Sequence, residues 1–129
     1  MGIKTLGLRH VALNIVNLEA CVKFYTEIFN MKIEWQPDDN NFYLTSGNDN
    51  LALHRVLAVD RERVSQRLDH IGFIIQTPEG VDSAYDFLLN NKVKIIKEPK
   101  THRDGARSLY CADPDGNVIQ VIYHPPISG

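Results

Sequence analysis

The sequence predicts an α+β fold built from two tandem modules, each with the element order βαβββ. The first observation is an internal repeat at an offset of 60 residues, in which His10-Val-Ala-Leu-Asn-Ile aligns with His70-Ile-Gly-Phe-Ile-Ile without a gap. The second is that the apolar spacing in both halves changes from strand-like alternation to the spacing of an amphipathic helix. Because a repeat determines the architecture, these two observations define the fold class.

The first module begins with a strand whose residues alternate between two faces. Val11, Leu13 and Ile15 fall on one face, and His10 falls on the other. Asn17 is predicted to cap the helix that follows, and turn-forming residues then separate three short strands. The predicted elements of this module are a strand at 6–16, a helix at 18–30, and strands at 32–36, 42–45 and 51–56.

The second module repeats this order after a charged connector. Thr77-Pro78 opens its helix, with the proline at the first helical position, where a missing N–H costs nothing. The predicted elements are a strand at 70–76, a helix from 78 to about 90, strands at 93–97, 107–111 and 117–123, and an irregular tail at 124–129. We therefore predict a single domain over 1–129, with module one at 1–57, the connector at 58–66 and module two at 67–124.

Composition limits the classes of partner. The formal charge of −2 and the pI near 6.2 give no reason to expect nucleic acid or an anionic membrane surface. No apolar stretch approaches the roughly 20 residues of a membrane span, and we expect no signal peptide. Cys21 and Cys111 lie in apolar patterns and are too few for a disulfide framework. We therefore interpret them as reduced core thiols of a cytoplasmic protein.

The turn Asp113-Pro114-Asp115-Gly116-Asn117 precedes the last predicted strand of the two βαβββ modules. This combination resembles the vicinal oxygen chelate superfamily, which contains glyoxalases, bleomycin resistance proteins and extradiol dioxygenases, and the resemblance covers nearly the whole chain. It implies that the sheets curve into a cup that holds a divalent metal. By position, the superfamily's metal ligands map onto His10, Ala52, His70 and Gln120.

Within the superfamily, the pattern is most similar to extradiol dioxygenases, which hold iron with two histidines and one glutamate. The resemblance implies that His10 and His70 are metal ligands and that Gln120 occupies the glutamate position. Ala52 cannot bind metal, which counts against a four-ligand glyoxalase site. Because the amide of Gln120 is neutral, the metal keeps its full charge and should be held more weakly. Fe(II) or Mn(II) is favoured, with Ni or Zn as alternatives.

The same resemblance implies three further functional residues. His54 lies two residues beyond Ala52, on the same face of its strand, where it would act as acid–base catalyst or become a further ligand. His102 and Tyr110 would hydrogen-bond to the oxygens of the bound substrate.

The expected function is that of a metal-dependent enzyme, a dioxygenase or lyase, that acts on a small oxygenated substrate able to chelate the metal. Two alternatives remain open. One is a metal-free protein that binds a small molecule or antibiotic, and the other is a glyoxalase-type lyase or isomerase. We also expect a homodimer, in which the cup is completed either within one chain or by exchange of modules between two chains.

Overall fold

Alternating strands and one amphipathic helix build the first of the two compact units into which the chain divides, Met1–Ser65 and Gln66–Gly129. The computed structural model of the protein describes residues 2, 4, 6–61 and 68–128. The elements of the first unit are β1 (His10–Ile15), α1 (Leu18–Glu27), β2 (Lys32–Asp38), β3 (Asn41–Thr45), β4 (Asn50–Arg55) and the short helix α2 (Ala58–Arg61). Its four strands form one mixed sheet in the order β1-β4-β3-β2, with β1 parallel to β4.

The sheet of the first unit has one apolar face, which packs against α1. Leu13 and Ile15 of β1 are buried, as are Leu51 and Leu53 of β4. Helical spacing places the buried residues of α1 on one stripe, which consists of Leu18, Cys21, Phe24 and Tyr25. Each large side chain buried in this way stabilises the unit by roughly 1.5–3 kcal/mol. The opposite face, called the polar face below, carries His10 and its polar neighbours and also the exposed Trp35.

The second unit has the same architecture. Its elements are β5 (Ile71–Ile74), α3 (Pro78–Asn90), β6 (Ile95–Thr101), β7 (Arg107–Ala112), β8 (Val118–Tyr123) and the short helix α4 (Pro125–Ser128). The strands form a mixed sheet in the order β5-β8-β7-β6, and α3 contacts β6, β7 and β8. The predicted fold class, with two βαβββ modules, is therefore confirmed for each unit.

A capping hydrogen bond, close packing at a glycine and an ion pair fix the position of α3. The Thr77 hydroxyl accepts a hydrogen bond from the backbone N–H of Gly80 at 3.1 Å, which caps the helix before Pro78. Gly80 also permits close packing, because a Cβ there would lie 2.7 Å from Cγ2 of Ile75. Arg107 on β7 forms a two-pronged ion pair with Asp82, which ties the first turns of the helix to the sheet.

Several predicted boundaries were wrong at the ends of elements. The strand predicted at 6–16 begins only at His10, and Gly7 before it has a φ of +104° that an extended strand does not allow. The helix predicted at 18–30 ends at Glu27, and Asn30 has a left-handed φ of 58°. Asn17 precedes the helix as predicted, but its side chain makes no capping hydrogen bond.

The two ends of the second module also differ from the prediction. The residue with a left-handed φ after α3 is Lys92, at 59°. The tail is not wholly irregular, because Pro125–Ser128 forms a helical turn in which the backbone N–H of His124 donates to Oγ of Ser128 at 2.7 Å. In the connector, Ala58–Arg61 forms α2, and the remainder of the predicted connector, 62–66, lies outside the described residues.

The strand registers define which residues of the two modules are equivalent. Ala12 of β1 pairs with Ala52 of β4, and Gly72 of β5 pairs with Gln120 of β8. Ala52 and Gln120 therefore occupy equivalent positions, as predicted. Among the residues that the structure describes, no helix is both long enough and apolar enough to cross a membrane.

The turn before β8 is held by one buried carboxylate. Oδ1 of Asp113 accepts hydrogen bonds from the backbone N–H groups of Asp115 at 2.9 Å and Asn117 at 2.8 Å. Its Oδ2 accepts a third from Nδ2 of Asn117 at 2.9 Å, and Gly116 provides the positive φ that the turn requires. The turn thereby sets where β8 begins.

Replacement of this carboxylate should destabilise the protein. We expect Asp113→Ala to lower the free energy of unfolding by roughly 1–3 kcal/mol, because two backbone donors and one side-chain donor lose their partner. Urea unfolding measures the change. Asn117→Ala removes only the side-chain donor and should cost less. A loss for Asp113→Ala below about 0.5 kcal/mol, the range of ordinary surface substitutions, would contradict this account of the turn.

Candidate functional site

Three histidines share one feature, which is a hydrogen bond between Nδ1 of the imidazole and a side-chain oxygen. The pairs are His10 with Oδ1 of Asn50 at 2.8 Å, His54 with Oδ1 of Asn41 at 2.6 Å, and His70 with Oδ1 of Asp69 at 2.7 Å. An amide or carboxylate oxygen only accepts, so in the neutral ring Nδ1 carries the proton. Nε2 is then the ring atom with a free lone pair, which is available to a metal or a proton.

In the first unit, strand pairing creates this arrangement on the polar face of the sheet. His10 pairs with Asn50 across β1 and β4, and Asn41 pairs with His54 across β3 and β4. Each histidine therefore lies directly beside the asparagine that binds it. Ala52 lies between Asn50 and His54 in β4, and its buried side chain offers no ligand atom.

In the second unit, three of the predicted site residues form one cluster. The rings of His70 and Tyr110 meet edge to face, with their centroids 5.3 Å apart at 87°. Gln120 pairs with Tyr110 across β7 and β8, and its Nε2 donates a hydrogen bond to the Tyr110 hydroxyl at 3.0 Å. Because that donation uses the amide nitrogen, Oε1 of Gln120 remains the atom that can act as a ligand. The Tyr110 hydroxyl keeps its own proton for another acceptor.

Gly72 is the neighbour of Gln120 in β5, and a Cβ built on it would lie 3.7 Å from Oε1 of Gln120, which is an ordinary van der Waals distance. Nε2 of His70 and Oε1 of Gln120 are a nitrogen and an oxygen donor, which are ligand types that divalent metals accept.

An open cleft of about 850 Å³ lies beside this cluster in the second unit. Its lining includes Lys100, His102, Arg103, Tyr110 and Gln120. Nζ of Lys97 lies 5.6 Å from the centroid of the Tyr110 ring, within the range of a cation–π contact. The cleft is also lined by Asp104, so the two cationic side chains of Lys100 and Arg103 exceed the acidic ones by one, which favours an anionic or oxygen-rich small molecule.

His102 reaches this cleft from the turn after β6. The residue is exposed, and its Nε2 lies 3.0 Å from Oγ of the buried Ser108. The backbone N–H of His102 donates to the carbonyl of Ala106 at 2.7 Å, which closes the hairpin. The structure therefore brings His102 together with Tyr110 and Gln120 around one cleft.

The predicted metal ligands are distributed over both units: His10 lies in the first, and His70 and Gln120 lie in the second. Across residues 2, 4, 6–61 and 68–128, no three histidine, cysteine, aspartate or glutamate side chains cluster as a metal site. The predicted ligand set consists of two histidines and an amide, so it would not form a cluster of this kind. The metal-ligand assignment stays a prediction.

Sequence reasoning missed the residues that hold the histidines. Asn41 and Asn50 become visible only once the strand register is known, because each lies on a different strand from its histidine. Asp69 adjoins His70 in the sequence and could have been found by that adjacency. Lys97 was missed because its place beside Tyr110 depends on the pairing of β6 with β7.

Both cysteines are buried, as predicted. Burial, together with a smaller contribution from the nearby carboxylate of Asp113, raises the pKa of the Cys111 thiol to about 12. The thiolate, which is the nucleophilic form, is therefore almost absent from Cys111 at neutral pH. A reaction that uses a thiol must receive it from a second substrate.

This burial predicts the reactivity of the thiols. At pH 8 we expect the folded protein to react with Ellman's reagent far more slowly than a free thiol, because the pH is well below the pKa of Cys111 and both side chains are inaccessible. In guanidinium chloride, both cysteines should react at once. Rapid labelling of the folded protein would contradict the assignment of these cysteines to the core.

Comparison with known proteins identifies the class of fold and site. Residues 7–121 match the Glyoxalase/Bleomycin resistance protein/Dioxygenase superfamily. The chain therefore belongs to this superfamily, as its resemblance to vicinal oxygen chelate proteins implied.

Individual relatives carry several names. The chain is 29% identical over 117 residues to the "Metallothiol transferase FosB" of Shouchella clausii (strain KSM-K16), covering 89% of this chain and 78% of the relative. It is 27% identical over 124 residues to the "Probable trivalent organoarsenical cleaving enzyme" of Bacillus subtilis (strain 168), covering 88% and 77%.

A solved structure confirms the fold. The lactoylglutathione lyase from Agrobacterium tumefaciens aligns with a TM-score of 0.77 at 16% identity, over 95% of this chain and 97% of that one.

Proposed function

We propose that this protein is a metal-dependent enzyme that transforms a small substrate held through its oxygen atoms, with His10, His70 and Gln120 as the metal ligands. The observation that carries the proposal is the hydrogen bond of each imidazole Nδ1 to a side-chain oxygen. Metal-binding histidines commonly donate their second ring N–H in this way, which orients the ring and leaves the other nitrogen for the metal. The contact of His70 with Asp69 is a carboxylate–histidine pair of this kind.

Gln120 would supply the third ligand through its amide oxygen, which changes the charge at that position from that of a glutamate. Its Nε2 donates to Tyr110, which orients Oε1 as the coordinating atom. A metal bound there would act as a Lewis acid that polarises the substrate's oxygens. Because neither the histidines nor the amide neutralises its charge, an anionic substrate should contribute more to metal retention here than at a site with a glutamate.

Other residues of the chain would bind and orient the substrate. Tyr110 can donate its hydroxyl proton to a substrate oxygen, since its oxygen already accepts from Gln120. Lys100 and Arg103, which line the same cleft, would attract an anionic group. Nε2 of His54 would take a proton from the substrate and return it to the product.

For the reaction itself, we propose transfer of a thiol to this substrate. The relative named metallothiol transferase supports this choice, because it is similar over 89% of the chain. The buried state of Cys21 and Cys111 means that the thiol would arrive as a second substrate. His54 would accept the S–H proton while the sulfur forms a bond to a substrate carbon and the bond from that carbon to one of its oxygens breaks. The proton would then pass from His54 to the released oxygen, so that the product carries a C–S bond and an O–H group.

Ring cleavage of a vicinal diol is the second candidate reaction. The observation in its favour is that His102, Tyr110 and Gln120 line one cleft, as the resemblance to extradiol dioxygenases implies. Oxygen uptake separates the two reactions. Catechol added in air to the Fe(II)-loaded protein should cause no oxygen uptake if the enzyme transfers thiols. Uptake of one O₂ per catechol, with both oxygen atoms in a ring-opened product and no release of H₂O₂, would instead establish ring cleavage.

Metal retention tests the proposal directly. We expect His10→Ala and His70→Ala to lose most of the Mn(II) that the wild-type protein retains after anaerobic loading and desalting, because each substitution removes a ligand. Asp69→Ala should weaken binding by about tenfold, through loss of the orienting hydrogen bond. Gln120→Glu should strengthen binding, because a carboxylate adds negative charge. Elemental analysis by mass spectrometry measures the retained metal.

His124→Ala is the matched control for these variants. His124 lines the cleft beside Gln120 but is not a proposed ligand, so its replacement should leave the metal content unchanged. Full metal content in both His10→Ala and His70→Ala would refute the proposed site. A wild-type protein that holds no metal, and whose ligand binding is insensitive to EDTA, would favour the metal-free binding function.

A further inference from the structure

We infer that Asp38 and Asn41 form a hydrogen-bond relay that keeps the proton of the neutral His54 ring on Nδ1. Nε2 is then the atom that exchanges a proton with the substrate. The inference rests on the proposed function, in which His54 is the acid–base residue, and it names the residues that position it. Asp38 and Asn41 are positioning residues, since they act through His54.

The relay begins at the carboxylate of Asp38. Its Oδ1 accepts from the backbone N–H of Asn40 at 2.8 Å and from Nδ2 of Asn41 at 2.9 Å, and Nδ2 of Asn41 also lies 3.1 Å from Oδ2. The hydrogen bond from the backbone of Asn40, followed by that from the Asn41 side chain, lowers the pKa of Asp38 below its ordinary value. At neutral pH, this carboxylate is charged and can only accept hydrogen bonds.

The charged carboxylate determines the orientation of the Asn41 amide. The NH₂ group must face Asp38, because the reversed amide would place its oxygen against two carboxylate oxygens. Oδ1 of Asn41 therefore faces the other way, where it lies 2.6 Å from Nδ1 of His54. Since this oxygen only accepts, the imidazole must donate, and the proton is placed on Nδ1.

The strand ladder makes the relay rigid. Asp38 pairs with Asn41 across β2 and β3, and Asn41 pairs with His54 across β3 and β4. The turn between Asp38 and Asn41 is held by Arg55, whose Nε donates to Oδ1 of Asn40 at 2.9 Å. All three members of the relay therefore occupy fixed positions on adjoining strands.

Aromatic packing restrains the imidazole ring itself. Tyr43 meets the His54 ring edge to face, with the centroids 5.8 Å apart at 78°. Tyr43 is in turn stacked on Trp35, with 5.1 Å between the centroids. These contacts hinder rotation of the ring, so that Nδ1 stays beside Asn41.

The relay defines the proton transfer. When a substrate O–H or S–H meets Nε2, the proton moves to Nε2, and the electron pair of the broken bond remains on oxygen or sulfur. The imidazolium then carries protons on both nitrogens, and its Nδ1–H continues to donate to Asn41. Return of the Nε2 proton to the product restores the starting tautomer.

The tautomer of His54 can be observed without substrate or metal. In protein labelled with ¹⁵N-histidine, long-range ¹H–¹⁵N correlation spectra distinguish the two nitrogens, and the loss of signals in His54→Gln assigns the residue. At a pH where His54 is neutral, we expect a single Nδ1–H pattern in the wild type. In Asn41→Ala, the loss of the acceptor should give a mixture that includes the Nε2–H form.

Two further variants keep the test decisive. In Asp38→Asn, the new amide no longer requires the Asn41 NH₂ group to face it, so we again expect a mixture of the Nδ1–H and Nε2–H tautomers of His54. This variant provides a second measurement if Asn41→Ala does not fold. Asp39→Ala is the matched control, because it alters the same turn but leaves the Asp38 carboxylate, the Asn41 amide and the hydrogen bond from Arg55 to Asn40 in place. It should keep the Nδ1–H pattern.

The outcomes separate the relay from the proposed function. An Nε2–H pattern in the wild type, or an unchanged Nδ1–H pattern in both Asn41→Ala and Asp38→Asn, would overturn the relay whatever the metal content. The expected tautomers together with full metal retention in His10→Ala and His70→Ala would support the relay and refute the metal site.

Discussion

The hydrogen bond from imidazole Nδ1 to a neighbouring side-chain oxygen is the constraint on which the candidate site depends. It occurs at His10, His54 and His70, and each time it assigns the free lone pair to Nε2. In the first unit, the acceptors lie on adjacent strands in direct register, so the sheet that forms the fold also sets the chemistry of the histidines. The apolar face, packed on α1, holds that register in place.

The elements of the fold could be predicted because their signals are local. Alternation identified β1, and Thr77-Pro78 placed the start of α3 at the observed residue. The ends of the elements were less predictable. The start of β1 depends on the backbone conformation of Gly7, and the helical turn of the tail depends on a single hydroxyl contact. The site residues could be proposed by position, but the asparagines that hold them could not, because those contacts join residues far apart in the chain.

Gln120 is the feature that most distinguishes this site from the pattern it resembles. A glutamate at this position would accept a hydrogen bond from Tyr110, whereas the amide donates one to it. The substitution therefore changes two properties together: the charge on the proposed metal ligand is lost, and the hydroxyl proton of Tyr110 is released toward the cleft. A neutral ligand and a free phenolic donor both favour a substrate that brings negative charge on its oxygen atoms.

The proposal with the widest consequences is that Nε2 of His10, Nε2 of His70 and Oε1 of Gln120 would bind one metal ion. An anomalous-difference map from crystals grown with Mn(II) tests this proposal most directly, because it locates the ion without assumptions about the reaction. We expect one strong peak within bonding distance of these three atoms, with both Nδ1 atoms hydrogen-bonded to their side-chain oxygens. A peak bound through either Nδ1, or no peak at either histidine, would contradict it.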